Sequence, residues 1–380
     1  MGSPSLVCVG ALIFDAADRL LMLRRASDVA LFAGCWDVVG GHLEPGEDPA
    51  AALRREVHEE TGWRVRGIID RLGPWTWQGD DGRTRTEYDY LITVDGDLAA
   101  PRLDPAEHAG FRWLAESELG LLDDDPSQIR LVADAGFAAL HGGYAARVAP
   151  VLDTAFRSAM AEVAERGGRD LVQSFGGEPA GMLITFRTAL AQPGRRVSRA
   201  QADTVWRYLD RAACWATMER SAAAGFVELT DAGFRAAPRG AQFLAALYAH
   251  QEQVTAQRWA GLDATVALAT ELLGRLLAAA ADTGGEAFHT MAPPYEAGAG
   301  PGAVLLNRMG TFRYHRADAH AAAWQAAGLT AAQIVAMEPG PERDAIEAET
   351  NRLAASPFAA LTGPERAALV EDLSTLAVSS

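Results

Sequence analysis

Residues 41–63, GHLEPGEDPAAALRREVHEETGW, carry six carboxylates. Three of them, Glu56, Glu59 and Glu60, are three and four residues apart, so a helix places them on one face. Like charges at this spacing repel and destabilise a helix. A cluster that tolerates its own repulsion calls for a divalent cation, and ligation by oxygen alone suits Mg2+ or Mn2+. The spacing predicts a helix over 49–61. Asp48 can cap it, Pro49 suits the first helical position, and Gly62 can end it. Ala52, Leu53 and Val57 fall on another side of that helix and can pack inward.

The order Gly41, five residues, Glu47, seven residues, then Arg55-Glu56-Val57-His58-Glu59-Glu60-Thr61-Gly62-Trp63 resembles the Nudix box, G-x5-E-x7-R-E-U-x-E-E-x-G-U, where U is bulky and apolar. Trp63 stands where an aliphatic residue is usual. The resemblance implies an α/β/α sandwich around a mixed sheet. It also implies Mg2+-dependent hydrolysis of a nucleoside diphosphate linked to another moiety, with water attacking phosphorus. Position by position, it makes Glu56, Glu59 and Glu60 metal ligands and adds the Gly41 carbonyl oxygen. It makes Glu47 and Arg55 a pair that orients the helix, a task suited to the planar guanidinium. The plain alternative for that pair is a surface ion pair. Members of this family present a further glutamate before a late strand, as metal ligand or general base, and Glu107 in AEHAGFRWLA is the match. His108 follows it as a candidate substrate contact.

The segment 73–90, GPWTWQGDDGRTRTEYDY, is the expected substrate-facing region. Trp75, Trp77, Tyr88 and Tyr90 could stack on a base, although alternating aromatics in strands also form cores. Arg24, Arg25, Arg83 and Arg85 could hold phosphates. A nucleoside triphosphate and an ADP-ribose-like nucleotide sugar both remain open as substrates.

These residues need elements to position them. Strand patterns cover 7–14, 20–26, 35–44, 63–72, 84–96 and 110–115, interrupted by helices at 49–61 and 126–140, which is an α+β pattern with a mixed sheet. The chain has 380 residues, enough for two domains, and 34 basic against 50 acidic side chains give a net charge of −16, which disfavours non-specific attraction to nucleic acid or anionic lipid. All 34 basic side chains other than His are Arg, so lysine-based Schiff-base chemistry is excluded. Cys8, Cys35 and Cys214 lack metal or disulfide spacing and read as small core residues. No signal peptide and no membrane span is evident, so the cytoplasm is the expected location.

HGGYAARVAP, 141–150, reads as a linker. The expected division is 1–143 for the Nudix-like domain and 144–380 for a mostly helical one. Helices are predicted near 151–166, 180–191, 199–209, 212–224, 239–258, 262–281, 316–327, 342–354 and 363–377, with a Gly- and Pro-rich loop at 282–302. Residues 197–247 resemble a winged helix-turn-helix of the MarR type, with its core at about 180–258. Residues 193–240 hold eight Arg against five acids, and Arg207, Arg211 and Arg220 could face phosphates. Against this, Ala and Trp fill the would-be recognition helix, where base-reading polar groups are wanted. Further on, Arg316, Asp318 and His320 form an R-x-D-x-H segment, and Glu347, Thr350 and Asn351 share a helix face. With Arg313 and His315 they could line a pocket, or simply face solvent.

The sequence therefore points to a Mg2+-dependent Nudix pyrophosphohydrolase fused to a helical domain with a winged-helix-like core, acting on a nucleotide. The alternative is a nucleotide-sensing transcriptional regulator that binds DNA through the winged helix. A third reading is a fusion whose helical half binds a small metabolite. Homo-oligomerisation is left open.

Overall fold

Strand β1 (Leu6–Ile13) is buried on both faces. Its alternate residues serve two cores: Val9, Ala11 and Ile13 join one, Leu12 the other. This period-two division is what a strand covered on both sides requires. A computed structural model describes residues 6–127 and 129–379 and divides the chain into two compact units. The first comprises Met1–Leu140 with Thr362–Pro364, the second His141–Leu361 with Glu365–Ser380.

In the first unit β2 (Leu20–Arg25), β3 (Trp36–Asp37), β4 (Val39–His42), α1 (Pro49–Thr61), β5 (Arg64–Gln78), β6 (Thr84–Asp95), β7 (His108–Leu114) and the start of α2 (Ile129–Val163) follow β1. One sheet has the order β4-β1-β6-β5 and the other β3-β2-β7. β1 and β6 are parallel, while the remaining pairs are antiparallel. Helix α1 packs Ala52, Leu53 and Val57 against Val9, Val39 and Leu21. On the opposite side Ile129, Ala133 and Phe137 of α2 pack with Leu12, Met22 and Leu91. The single strand expected at 35–44 is two strands in different sheets. Trp36 and Asp37 pair with β2, whereas Val39–His42 pair with β1.

The expected linker at 141–150 is helical, because α2 runs without a break from Ile129 to Val163. Ala145, Val148, Leu152, Ala155 and Ala159 are all buried and recur at intervals of three and four, the apolar stripe of a packed helix. That stripe outweighs the helix propensity lost at Gly142 and Gly143, about 1 kcal/mol each. A π-helical turn, Ala164–Gly168, follows.

The second unit is mostly helical: α3 (Arg169–Phe175), α4 (Glu178–Gly181), α5 (Arg187–Leu190), α6 (Arg199–Val205), α7 (Arg211–Ala223), the hairpin β8 (Val227–Thr230) and β9 (Gly233–Ala236), then α8 (Pro238–Arg258), α9 (Asp263–Ala279), α10 (Glu286–Met291), α11 (Pro301–Ala326), α12 (Ala331–Ala336), α13 (Pro341–Leu353) and α14 (Gly363–Val378). The helix predicted at 180–191 is broken into short turns. The loop predicted at 282–302 contains α10, whose N-terminal Phe288 N–H is held by Asp318 from a distant part of the chain. Helix α11 begins at Pro301, well before the 316 expected.

Phe186, Trp206, Trp215 and Phe234 pack edge to face around the hairpin. The Trp215 indole N–H donates to Asp203. Arg207 is engaged by Asp318 and Arg220 by Glu178, so two of the three arginines expected to face phosphates are held within the chain. Arg211 is exposed. Among the described residues no helix is long and apolar enough to cross a membrane.

Candidate active site

Helix α1 is fixed at both ends by local chemistry. The Asp48 carboxylate accepts the N–H groups of Ala50 and Ala51 at 2.9 and 3.1 Å, and Gly62 ends the helix in the left-handed region at φ +72°. Its inward stripe against the sheet leaves Glu56, Glu59 and Glu60 turned toward β4 or solvent.

Glu60 is only 6% exposed. Its Oε2 accepts the Gly40 N–H at 2.9 Å, and its Oε1 lies 3.5 Å from His108 Nε2. Burial raises this carboxyl well above the usual range; the Gly40 N–H opposes the rise, and the nearby Asp37, Glu56 and Glu107 reinforce it. Glu56 is raised as well, chiefly by burial, with Arg55 opposing. The Glu59 side chain is 57% exposed. Gly41 lies so close to this face that a methyl group there would meet Glu56 Oε1 at 2.3 Å.

Arg55 ties the loop to the helix. Its Nε and Nη2 donate to the two oxygens of Glu47 at 3.1 and 2.9 Å, and Nη2 also reaches the His42 carbonyl at 3.1 Å. Nη1 donates to Glu56 Oε1 at 2.8 Å and Glu59 Oε2 at 3.1 Å. The Glu47 carboxyl is lowered, first by its hydrogen bond with Arg55.

Glu107 is exposed and immediately precedes β7, where its carbonyl accepts the Ala26 N–H at 2.8 Å. Glu60, Glu107 and His108 each offer one ligand atom, all within 4.8 Å of one another. His108 is buried, and burial lowers it to about 4, which keeps the ring neutral at neutral pH. Glu56 and Glu60 thus offer hard oxygens, crowded and desolvated, beside Gly40 and Gly41. These donors suit a divalent cation, which would relieve the cost of their charges.

A cavity of about 720 Å³ opens beside them and is bordered by Gly41, Glu56, Glu60, Glu107, Trp77 and Glu87, among others. The Trp77 indole N–H donates to Glu87 at 2.6 Å, and the Trp77 ring lies 5.6 Å from that of Phe32. Arg85 is buried: it pairs with Asp81, donates to His42 Nε2 at 3.0 Å and lies 5.0 Å from the Trp77 ring centre. It supports the cavity wall from behind. Arg24 lies over Trp36, Arg83 is exposed, and Tyr88 packs with Arg71 and the core shared with α1; none of these three borders the cavity.

Sequence reasoning passed over Asp37 and Glu87, which line the cavity. Asp37 accepts from Arg25 at 3.1 Å and is raised mainly by burial. Glu87 and Asp89 are both raised by burial and by crowding of acids. Arg85, Glu87 and Asp89 alternate along β6 with one parity, and charged residues on the covered face of a strand were the signal available.

Residues 4–135 match the model of the NUDIX domain family. The nucleoside triphosphatase NudI of Enterobacter sp. (strain 638) is 35% identical over 112 residues, spanning 27% of this chain and 77% of that protein. The chain belongs to the Nudix family. The NudI protein of Salmonella newport (strain SL254) is 34% identical over the same length, again across 77% of its chain. Among solved structures, this Nudix unit is similar to the MutT protein from Methanosarcina mazei Go1, with a TM-score of 0.31, 24% identity, and coverage of 36% of this chain and 95% of that one.

Proposed function

We propose that the Nudix unit is a Mg2+-dependent pyrophosphohydrolase that cleaves a phosphoanhydride bond in a nucleoside triphosphate. The observation that carries this reading is the Arg55 fork, which binds Glu47, Glu56, Glu59 and the His42 carbonyl together at the mouth of the cavity. A surface ion pair has no need to hold three carboxylates and a loop carbonyl in one array. The named activity of the NudI relatives favours a triphosphate over an ADP-ribose-like nucleotide sugar.

In this reading Glu56, Glu59 and Glu60, with the Gly41 carbonyl, hold Mg2+; Mn2+ has the same ligand preference. The bound cation supplies neutralisation of charge on the phosphate oxygens. Glu47 and Arg55 keep the carboxylates aimed inward. The Gly40 N–H orients Glu60 through Oε2 and leaves Oε1 turned toward His108. Glu107, beside Glu60 and open to solvent, takes the proton from the attacking water. Trp77, steadied by Glu87 and Arg85, offers an aromatic face to the base. Residues 1–143 act as the catalytic domain.

The test is release of pyrophosphate, phosphate or nucleoside monophosphate by the full-length protein. The panel holds canonical and oxidised triphosphates, ADP-ribose, dinucleoside polyphosphates and NADH, each with and without Mg2+. Turnover of triphosphates that needs Mg2+ and is lost in Glu59→Gln supports the reading. Preference for ADP-ribose moves the substrate class, and turnover unaffected by Glu59→Gln removes the metal assignment.

A further inference from the structure

The helical unit has a cavity of its own. It measures about 430 Å³ and lies wholly within residues 145–358, a size ordinary for small-molecule sites. Its walls divide by chemistry. Val148 and Leu152 of α2, Phe312 of α11 and Phe358 supply apolar surface. Arg316 and His320 of α11, Glu347 of α13 and Tyr208 supply the polar end. Of the polar residues singled out in this half of the sequence, Arg313 and His315 also border the cavity. Asp318 pairs with Arg207, and Asn351 holds Arg316.

The polar end is oriented by a chain of hydrogen bonds. The Trp324 indole, which can only donate, gives its N–H to the Tyr208 oxygen at 3.1 Å. The Tyr208 hydroxyl lies 2.8 Å from His320 Nδ1; in the tautomer in which it donates there, its oxygen accepts from Trp324 and its proton bonds the ring. Burial lowers His320, which keeps the ring neutral, and in that tautomer its proton is on Nε2. That Nε2 is 3.7 Å from Glu347 Oε1, too far for a direct hydrogen bond. The other Glu347 oxygen accepts from Arg316 at 2.7 Å, and Arg316 also donates to Asn351 at 2.6 Å. A donor and an acceptor thus sit side by side on the cavity wall, where one group in the cavity can bond to both.

The charges bordering the cavity are already paired: Arg316 with Glu347, and Arg313 with Asp153. A ligand has no net charge to neutralise, and burying one here would cost free energy without a partner. A group that bridges the two must accept from His320 and donate to Glu347. A hydroxyl or an amide does both, whereas an ether or ketone leaves Glu347 without a donor.

We propose that the helical unit binds a neutral, largely apolar molecule ending in a hydroxyl or amide group, with that group bridging His320 Nε2 and Glu347 Oε1 from the cavity and its apolar body against Phe312 and Phe358. This site is separate from the Nudix chemistry and does not depend on it.

The probes are 2-naphthol and its methyl ether, 2-methoxynaphthalene, titrated into the full-length protein by calorimetry. The expected result is saturable binding of one 2-naphthol per chain, weakened roughly tenfold or more in the ether, which cannot donate to Glu347. Ala149→Trp, at a half-buried position on the cavity wall outside the hydrogen-bond chain, should abolish binding while leaving triphosphate turnover intact. Equal affinity for the two probes, or no saturation, overturns the proposal. So does undiminished binding in a folded Ala149→Trp variant. The comparison of the two probes needs no variant, so it decides the matter even where that substitution disturbs folding.

Discussion

At the scale of single residues, Gly41 sits hard against the carboxylate face of the active site. A Cβ there would lie 2.3 Å from Glu56 Oε1 and 2.6 Å from its Cδ. Gly41→Ala must therefore push Glu56 or the loop aside. Displacements of about 1 Å at a reacting centre can cost roughly a hundredfold in rate. We expect a loss of that order in Mg2+-dependent turnover with the circular dichroism spectrum unchanged; turnover near the wild-type rate would show that the approach is not needed. Glu60→Gln should abolish turnover. It should also shrink the rise in unfolding temperature that Mg2+ produces, since a cation bound only to the folded state stabilises it by mass action. An undiminished rise would place the cation elsewhere. The box residues were legible because they lie within one helix and its preceding loop, where short-range spacing decides which side chains share a face. Asp37 and Glu87 were not, because their role comes from burial beside residues far along the chain.

At the scale of elements, α1 was legible to its ends, since Asp48, Pro49 and Gly62 are local signals. Asp48→Ala should cost about 1 kcal/mol of stability, measured by denaturant unfolding with the Nudix transition followed; no change would mean the cap is not used. Helix α2 was read as a helix, a linker and another helix, because two glycines and a proline mask a stripe that only burial makes plain. Helix α10 was missed because its N–H partner, Asp318, is distant in sequence.

Helix α11 adds a prediction about pH. His315 is buried, stacked with Phe312 and hydrogen-bonded to Thr283 at 3.0 Å. Burial lowers it to about 4, with Asp318 opposing. The unfolded chain takes up that proton near pH 6.5 and the folded chain does not. Its contribution to stability is therefore complete above about pH 6.5, falls as pH drops toward about 4, and is level below that. Denaturant unfolding across this range should show a shallower pH slope in His315→Gln; an identical slope would remove the assignment.

For the whole molecule, the two cores of the Nudix unit draw, among the described residues, on side chains between Val9 and Leu140. A fragment ending at residue 143 keeps both, together with the start of α2 that covers one face of the sheet. It should be soluble and retain Mg2+-dependent turnover within roughly a few-fold of the full chain, as a unit with its own core allows. An insoluble or inactive fragment would show that the division does not correspond to an independent folding unit.

By itself the sequence determined the family, the carboxylate helix and its caps, the mixed sheet and the helical character of the second half. All of these follow from short-range spacing, because a helix or a strand repeats within a few residues. Only the tertiary structure decided which side chains border each cavity. It paired Arg85, an expected phosphate ligand, with Asp81 beside Trp77, engaged Arg207 and Arg220 within the chain, and set Tyr208, His320 and Glu347 around one cavity. Those placements depend on contacts between residues up to more than a hundred positions apart, which the spacing within any one element does not encode.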